Sequence, residues 1–325
     1  MDRLRRRFLQ LAAGAGVLPS VTRLASAPTY PMRPVRIIVG FAAGGNSDIF
    51  ARLFGQWLSE RLGQPFIVEK RPGAGTTLAT EAVVKAAPDG YTLLLFSSST
   101  FLAATLYDKV NFSFVRDIAP VASISRGAYV MLINPSVPAG SIPEFVAYAK
   151  ANPGKVTMAS AGIGSGPHVT GELFKTMTGI DMVHVPYRGD PPALTDLIGG
   201  QVQVYFGTVS ASIEYVRSGK LRALAVTTAA RLSALPEIPT VGEFLPGYEA
   251  SLWTGFGAPK DTPAEIVELL NKEINAALAD PKIQARVIDL GATAHASSPA
   301  DYGKLIAAEV EKLSKVIRAA NIKPE

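Results

Sequence analysis

Short apolar runs alternate along the chain with segments of helical periodicity. The run 35–41 (VRIIVGF) is unbroken and rich in β-branched residues, the pattern of a strand buried on both faces. After the turn AAGGNSD, the residues Ile49, Phe50, Leu53, Phe54, Trp57, Leu58 and Leu62 recur at helical spacing. Strands at 66–69 and 91–96 bracket a helix near 78–87. This β-α-β-α-β order predicts a parallel sheet with right-handed crossovers. A long extended stretch, 118–133, leads into a second set. Its strands are expected at 156–160, 182–185, 202–206 and 221–227, and its helices near 142–151, 168–178, 191–198 and 210–218. Another extended segment, 251–258, precedes C-terminal helices, the last over 299–320. Those helices have little sheet of their own and need the first sheet to cover. The chain is therefore expected to enter a second lobe near residue 128 and return near 251. Residues 34–128 plus 252–325 would form lobe 1 and 129–251 lobe 2, with two extended crossovers as a hinge.

The first 27 residues read differently. Arg5, Arg6 and Arg7 open the segment, a short apolar stretch follows, and LASA closes it at Ala27. A charged start, an apolar middle and an A-x-A site make an export signal, cleaved after Ala27. The stretch is too short for a stable membrane span. The arginine pair resembles a twin-arginine signal, although Leu4 stands where Ser or Thr is usual, which leaves the general secretory route open. The rest of the protein is then expected in the periplasm.

This assignment changes the meaning of the charge. The 325-residue chain carries a formal +5, but five arginines and one acid lie in the first 27 residues, leaving a nearly neutral body. No nucleic-acid footprint remains. Cysteine is absent and histidine occurs only at 168, 184 and 295, so thiolate sites and a catalytic thiol are excluded and a histidine-rich metal site is not expected. A cysteine-free exported chain must draw its stability from a large core.

Candidate chemistry concentrates in loops after strands. Phe41, Ala42, Ala43, Gly44, Gly45 and Ser47 form the first; its glycines permit close approach, and Asn46 or Ser47 is expected to cap the helix. Amides at a helix N-terminus favour anions. The second loop, ASAGIGSGPH, carries Ser160, Gly162, Gly164, Ser165 and His168. It is not a P-loop or a nucleophile elbow, and no acidic residue follows at the position a dinucleotide fingerprint requires. Ser98 and Thr100 follow the third strand, Tyr187 and Arg188 stand in HVPYRGD, and Gly207 and Thr208 sit at another strand–helix junction. Tyr187 suits a pocket wall; Arg188 reads more readily as a surface residue. His168 either lines the cleft or is structural, and His184 reads as structural.

The segments FAAGGNSD, EKRPGAG, APDGYTLLL, SAGIGSGPH, GELF, HVPYRG, PALTDLIGGQV, PEIPTVGE and GFGAPKDTP occur together in this order. Over nearly the whole body the chain resembles the Bug family, periplasmic receptors of tripartite tricarboxylate transport systems. The resemblance implies a two-lobed α/β fold of the type II periplasmic-binding-protein kind, with mostly parallel sheets and no cofactor. It implies a small organic acid, mono-, di- or aromatic carboxylate, held between Phe41–Ser47 on one side and Gly162, Gly164 and Ser165 on the other. Ser98, Thr100, His168, Tyr187 and Gly207 would line the cleft. It also implies membrane transporter subunits as partners, and a monomer is expected. Where some members carry an acid after the strand 202–206, Gly207 and Thr208 stand here, so an α-amino group is expected to lack a counter-charge. Two other readings remain open at this level: an exported enzyme acting on a small carboxylate, and a ligand-sensing partner of a membrane sensor.

Overall fold

The computed structural model describes residues 30–101 and 110–319; the export segment lies outside them. Ten strands form one continuous sheet. They are β1 (Val35–Val39), β2 (Phe66–Lys70), β3 (Thr92–Ser97), β4 (Ile118–Ile133), β5 (Thr157–Ser160), β6 (Val183–Pro186), β7 (Val204–Thr208), β8 (Arg222–Val226), β9 (Ser251–Pro259) and β10 (Ala292–Ala294). The order is β2-β1-β3-β9-β4-β7-β5-β6, and β8 and β10 also pair with β4.

The unbroken apolar run of β1 is buried on both faces, as its composition requires. Val35, Ile37 and Val39 pack with Phe50, Phe54 and Leu58 of the helix Asn46–Leu62. Ile38 points the other way, toward Ala79, Val83, Tyr302 and Ile306. The C-terminal helices cover this first part of the sheet: Leu270, Ile274 and Ala277 of Ala264–Ala279 join the cluster around Ile37. Each such buried Leu, Ile or Phe contributes about 1.5–3 kcal/mol. Separate clusters line the two faces of β4's later residues together with β5 and β7.

The strand β4 changes partners midway. Up to Ala128 it pairs with β9; from Tyr129 it pairs with β7. A single buried side chain clasps the two crossings at this point. Thr227 Oγ1 accepts from the Tyr129 amide (3.1 Å) and lies 2.8 Å from the Ala250 carbonyl, to which it donates. The Thr227 amide donates to Tyr129 O and its carbonyl accepts from the Ala250 amide.

Several local expectations are refined. The parallel pairings are β1 with β2 and β3, and β5 with β6 and β7; the five antiparallel pairings all involve β4 or β9. The helix expected over 78–87 spans Thr77–Val84, because Pro88 disfavours helical backbone at the residue before it. The cap expected from Asn46 or Ser47 is not made: Gly45 is the N-cap without a side-chain bond, and both residues lie inside the first turn. Asp48 takes over part of the task, its Oδ2 accepting from the Gly44 amide at 2.9 Å. The local Asp48–Arg52 pair inferred from the spacing is present at 3.1 Å. Burial opposes ionisation of Asp48, but Arg52 and the Gly44 amide outweigh it and hold the carboxyl below its ordinary value.

Candidate functional site

Two glycine-containing loops face each other at the carboxyl ends of β1 and β5. In the first, the Ala42 amide donates to the Arg188 carbonyl (3.3 Å) and the Gly45 amide to the Ala42 carbonyl. Gly189 permits the first of these contacts. Its φ of +123° suits glycine, and a Cβ there would stand 3.2 Å from the Ala42 nitrogen.

The second loop is held by histidines. The Gly164 amide donates to His168 Nδ1 at 3.1 Å, so the ring's proton resides on Nε2. His184 Nε2 lies 2.6 Å from Ser160 Oγ, which in turn accepts from the Gly162 amide. The two imidazoles stack, with centroids 3.7 Å apart and planes within 5°. Burial, then the neighbouring ring, pushes His168 down to about 3. Burial, then Lys175, pushes His184 down to about 4. Both rings are therefore neutral at neutral pH, and only a neutral His168 can accept the Gly164 proton. Ser165 caps the helix Gly166–Thr178, its hydroxyl accepting from the His168 amide.

Polar contacts surround the space between the loops. Ser210 Oγ donates to Asn46 Oδ1 (2.7 Å), Asn46 Nδ2 donates to Thr254 Oγ1 (3.1 Å), and the Gly166 amide donates to Ser99 Oγ (2.8 Å). An outer cavity of about 380 Å³ is lined by Phe41, Gly75, Thr76, Gly162, Tyr187 and Arg188. An inner chamber of about 10 Å³ is lined by Phe41, Ser47, Ser99, Ala161, Asp190 and Thr208. Phe41 and Ala161 wall both spaces, so the two adjoin.

The expected site residues divide into three groups. Phe41, Ser47, Gly162 and Tyr187 line the cleft; the Tyr187 hydroxyl is anchored on Asp196 at 2.7 Å. Ala42, Gly44, Gly45, Gly164, Ser165 and His168 are engaged within or between the loops, through the bonds given above. Ala43 belongs to the same first loop, and its amide has no hydrogen bond among the described residues. The third group lies apart from the cavities. Ser98 accepts from the Trp253 amide and lines a separate small cavity beside Tyr129. Thr100 accepts from the Ser97 amide, and Gly207 is packed against the Tyr205 ring.

Asp190 escaped the sequence reading. It is 5% exposed and starts the helix Asp190–Ile198. Its Oδ1 accepts from the Tyr205 hydroxyl (2.7 Å), the Thr208 amide (3.1 Å) and the Thr208 hydroxyl (3.1 Å). Burial pushes its carboxyl up, against these donors and the Asn46 amide. The acid thought missing after the strand at 202–206 is thus supplied from another element, against Thr208. The only local signal was a helix start before Pro191 and Pro192, which reads as capping.

A continuous α/β sheet that folds two facing loops around a cleft is an architecture found in periplasmic binding proteins, and relatives share it. The chain is 34% identical to R. palustris Rpa4515, solved with adipate, with a TM-score of 0.88 over 91% of this chain and 100% of that one. It is 33% identical to the periplasmic binding protein BugD, with a TM-score of 0.87 over 91% and 100%. The curated protein BugT of Bordetella pertussis is 38% identical over 96% of this chain and 95% of its own. Residues 50–322 match the tripartite tricarboxylate transporter family receptor, and the chain belongs to that family. It is accordingly a receptor rather than an enzyme. Among the described residues, no helix is long and apolar enough to cross a membrane.

Proposed function

We propose that the protein is a periplasmic receptor that clamps a small organic carboxylate in this cleft for a tripartite uptake system. The outer cavity carries the reading. Its volume of about 380 Å³ falls in the range of small-molecule sites, and it lies between the two loops with Arg188 among its lining residues. Phe41, Ala43, Ser47, Gly162, Tyr187 and Arg188 are the proposed contacts. The internal bonds of Ala42, Gly44, Gly45, Gly164, Ser165 and His168 hold the loops in shape for them. Rpa4515, solved with adipate, supports the ligand class.

The proposed moving parts are 34–128 with 252–325, and 129–251. The change of partners along β4 and the Thr227 clasp support a hinge at Ala128–Tyr129 and near Ser251. Residues 1–27 would direct export, with the arginine pair favouring the twin-arginine route.

The test is a melting-temperature screen of the purified protein against small organic acids, after unfolding and refolding to strip bound ligand. A ligand at 100 times its Kd adds about 2.7 kcal/mol. That corresponds to a rise of roughly 5 °C or more. A folded protein that no organic acid stabilises would overturn the reading.

A further inference from the structure

The two ends of the cleft carry a donor and an acceptor from residues only two positions apart. Arg188 lines the outer cavity and Asp190 the inner chamber, with Gly189 between them in a left-handed conformation. The Asp190 carboxylate is fixed from its own side by Tyr205 and Thr208, all of them neutral donors. Its Oδ2 reaches toward the first loop, 3.2 Å from where a Cβ on Gly45 would stand. The Asn46 amide, at the start of the helix Asn46–Leu62, is among the groups that favour the ionised form of this carboxyl. An acid of the protein itself therefore occupies the helix N-terminus that the glycine loop would otherwise offer to a ligand anion.

A ligand carboxylate driven to the inner end would meet a buried carboxyl oxygen that acts as an acceptor, with no cation among its donors. One placed at the outer end meets Arg188. Resting on the receptor reading above, we infer that the cleft is polarised and selects a monocarboxylate whose far end carries a hydrogen-bond donor, ammonium or hydroxyl, over a dicarboxylate. The acid group points outward to Arg188 and the donor inward to Asp190. Asp190 then acts as a specificity residue: a buried acceptor left facing a second carboxylate rejects it, as a site built for a donor rejects an analogue that lacks one.

The test is calorimetric titration at neutral pH with two matched series. One is succinate, 4-hydroxybutyrate and 4-aminobutyrate; the other is adipate, 6-hydroxyhexanoate and 6-aminohexanoate. The wild-type protein is expected to bind the hydroxy or amino acid of one series at least tenfold more tightly than the diacid. A further preference for the amino over the hydroxy acid would mark Asp190 as ionised. Asp190→Asn keeps an oxygen for Tyr205 and Thr208 and places an amide donor where Oδ2 stands, so it should lose that preference and gain diacid affinity at least tenfold. Arg188→Gln, which disturbs nothing buried, should weaken all binding members at least fivefold and leave their order unchanged. Should Asp190→Asn not fold, the wild-type order and Arg188→Gln decide. A wild-type protein that binds a diacid as tightly as its partners overturns the inference while leaving the receptor reading intact. Silence of folded wild-type protein toward both series counts against both.

Discussion

At the residue scale, the stacked pair His168–His184 ties loop shape to protonation. Both folded-state values lie below the ordinary histidine value near 6.5. The unfolded chain therefore binds protons that the folded chain refuses. The contribution is fully present above about pH 6.5 and is lost as pH falls toward about 4 for His184 and about 3 for His168, with a slope of up to about 1.4 kcal/mol per pH unit for each ring. Urea unfolding at pH 7 and pH 5 should show this loss, and the double variant His168→Gln, His184→Gln should flatten it. An equal pH dependence in the double variant would refute the assignment. Gly166 supplies a steric counterpart. A Cβ there would stand 1.7 Å from the Tyr129 hydroxyl oxygen, so the buried Tyr129 ring would have to shift. Gly166→Ala should cost about 1–3 kcal/mol or more, read as a lower denaturation midpoint.

At the element scale, the double role of β4 rests on a side chain far from it in sequence. Thr227→Val keeps the shape but removes the hydroxyl that bonds the Tyr129 amide and the Ala250 carbonyl. About 1–3 kcal/mol of stability should go with the unsatisfied buried groups. Thr227→Ser should recover most of it, which a packing effect of the methyl group would not allow. The strands and helices themselves were largely legible from local pattern. The run VRIIVGF announced a strand buried on both faces because both of its faces are apolar. The three-residue β10 was not legible, since a strand that short has no period. The cap on the helix Asn46–Leu62 was misplaced for a related reason. Asn46 is a good capping residue in isolation, but its side chain is taken by Ser210 and Thr254, 164 and 208 positions away.

At the scale of the whole molecule, the Ser210 contact joins the first loop to the far side of the cleft, while the Thr254 contact ties that loop to its own lobe. Asn46→Ala removes both and should favour the open form. Small-angle scattering should give a larger radius of gyration for the variant than for the wild type at equal ligand concentration; equal radii would show that Asn46 does not hold the cleft shut. Such contacts are also where reading the sequence stopped. Composition, periodicity and the order of its segments determined the α/β class, the two glycine loops and their place after strands, because each depends on neighbours a few residues apart. The tertiary structure alone decided which loop amides are already bonded within the protein, that Ser98 lines a separate cavity, and that Asp190 lines the inner chamber. Those outcomes depend on strand order and on donors brought from distant segments. A buried carboxylate takes its chemistry from the groups around it rather than from the residues beside it in the chain.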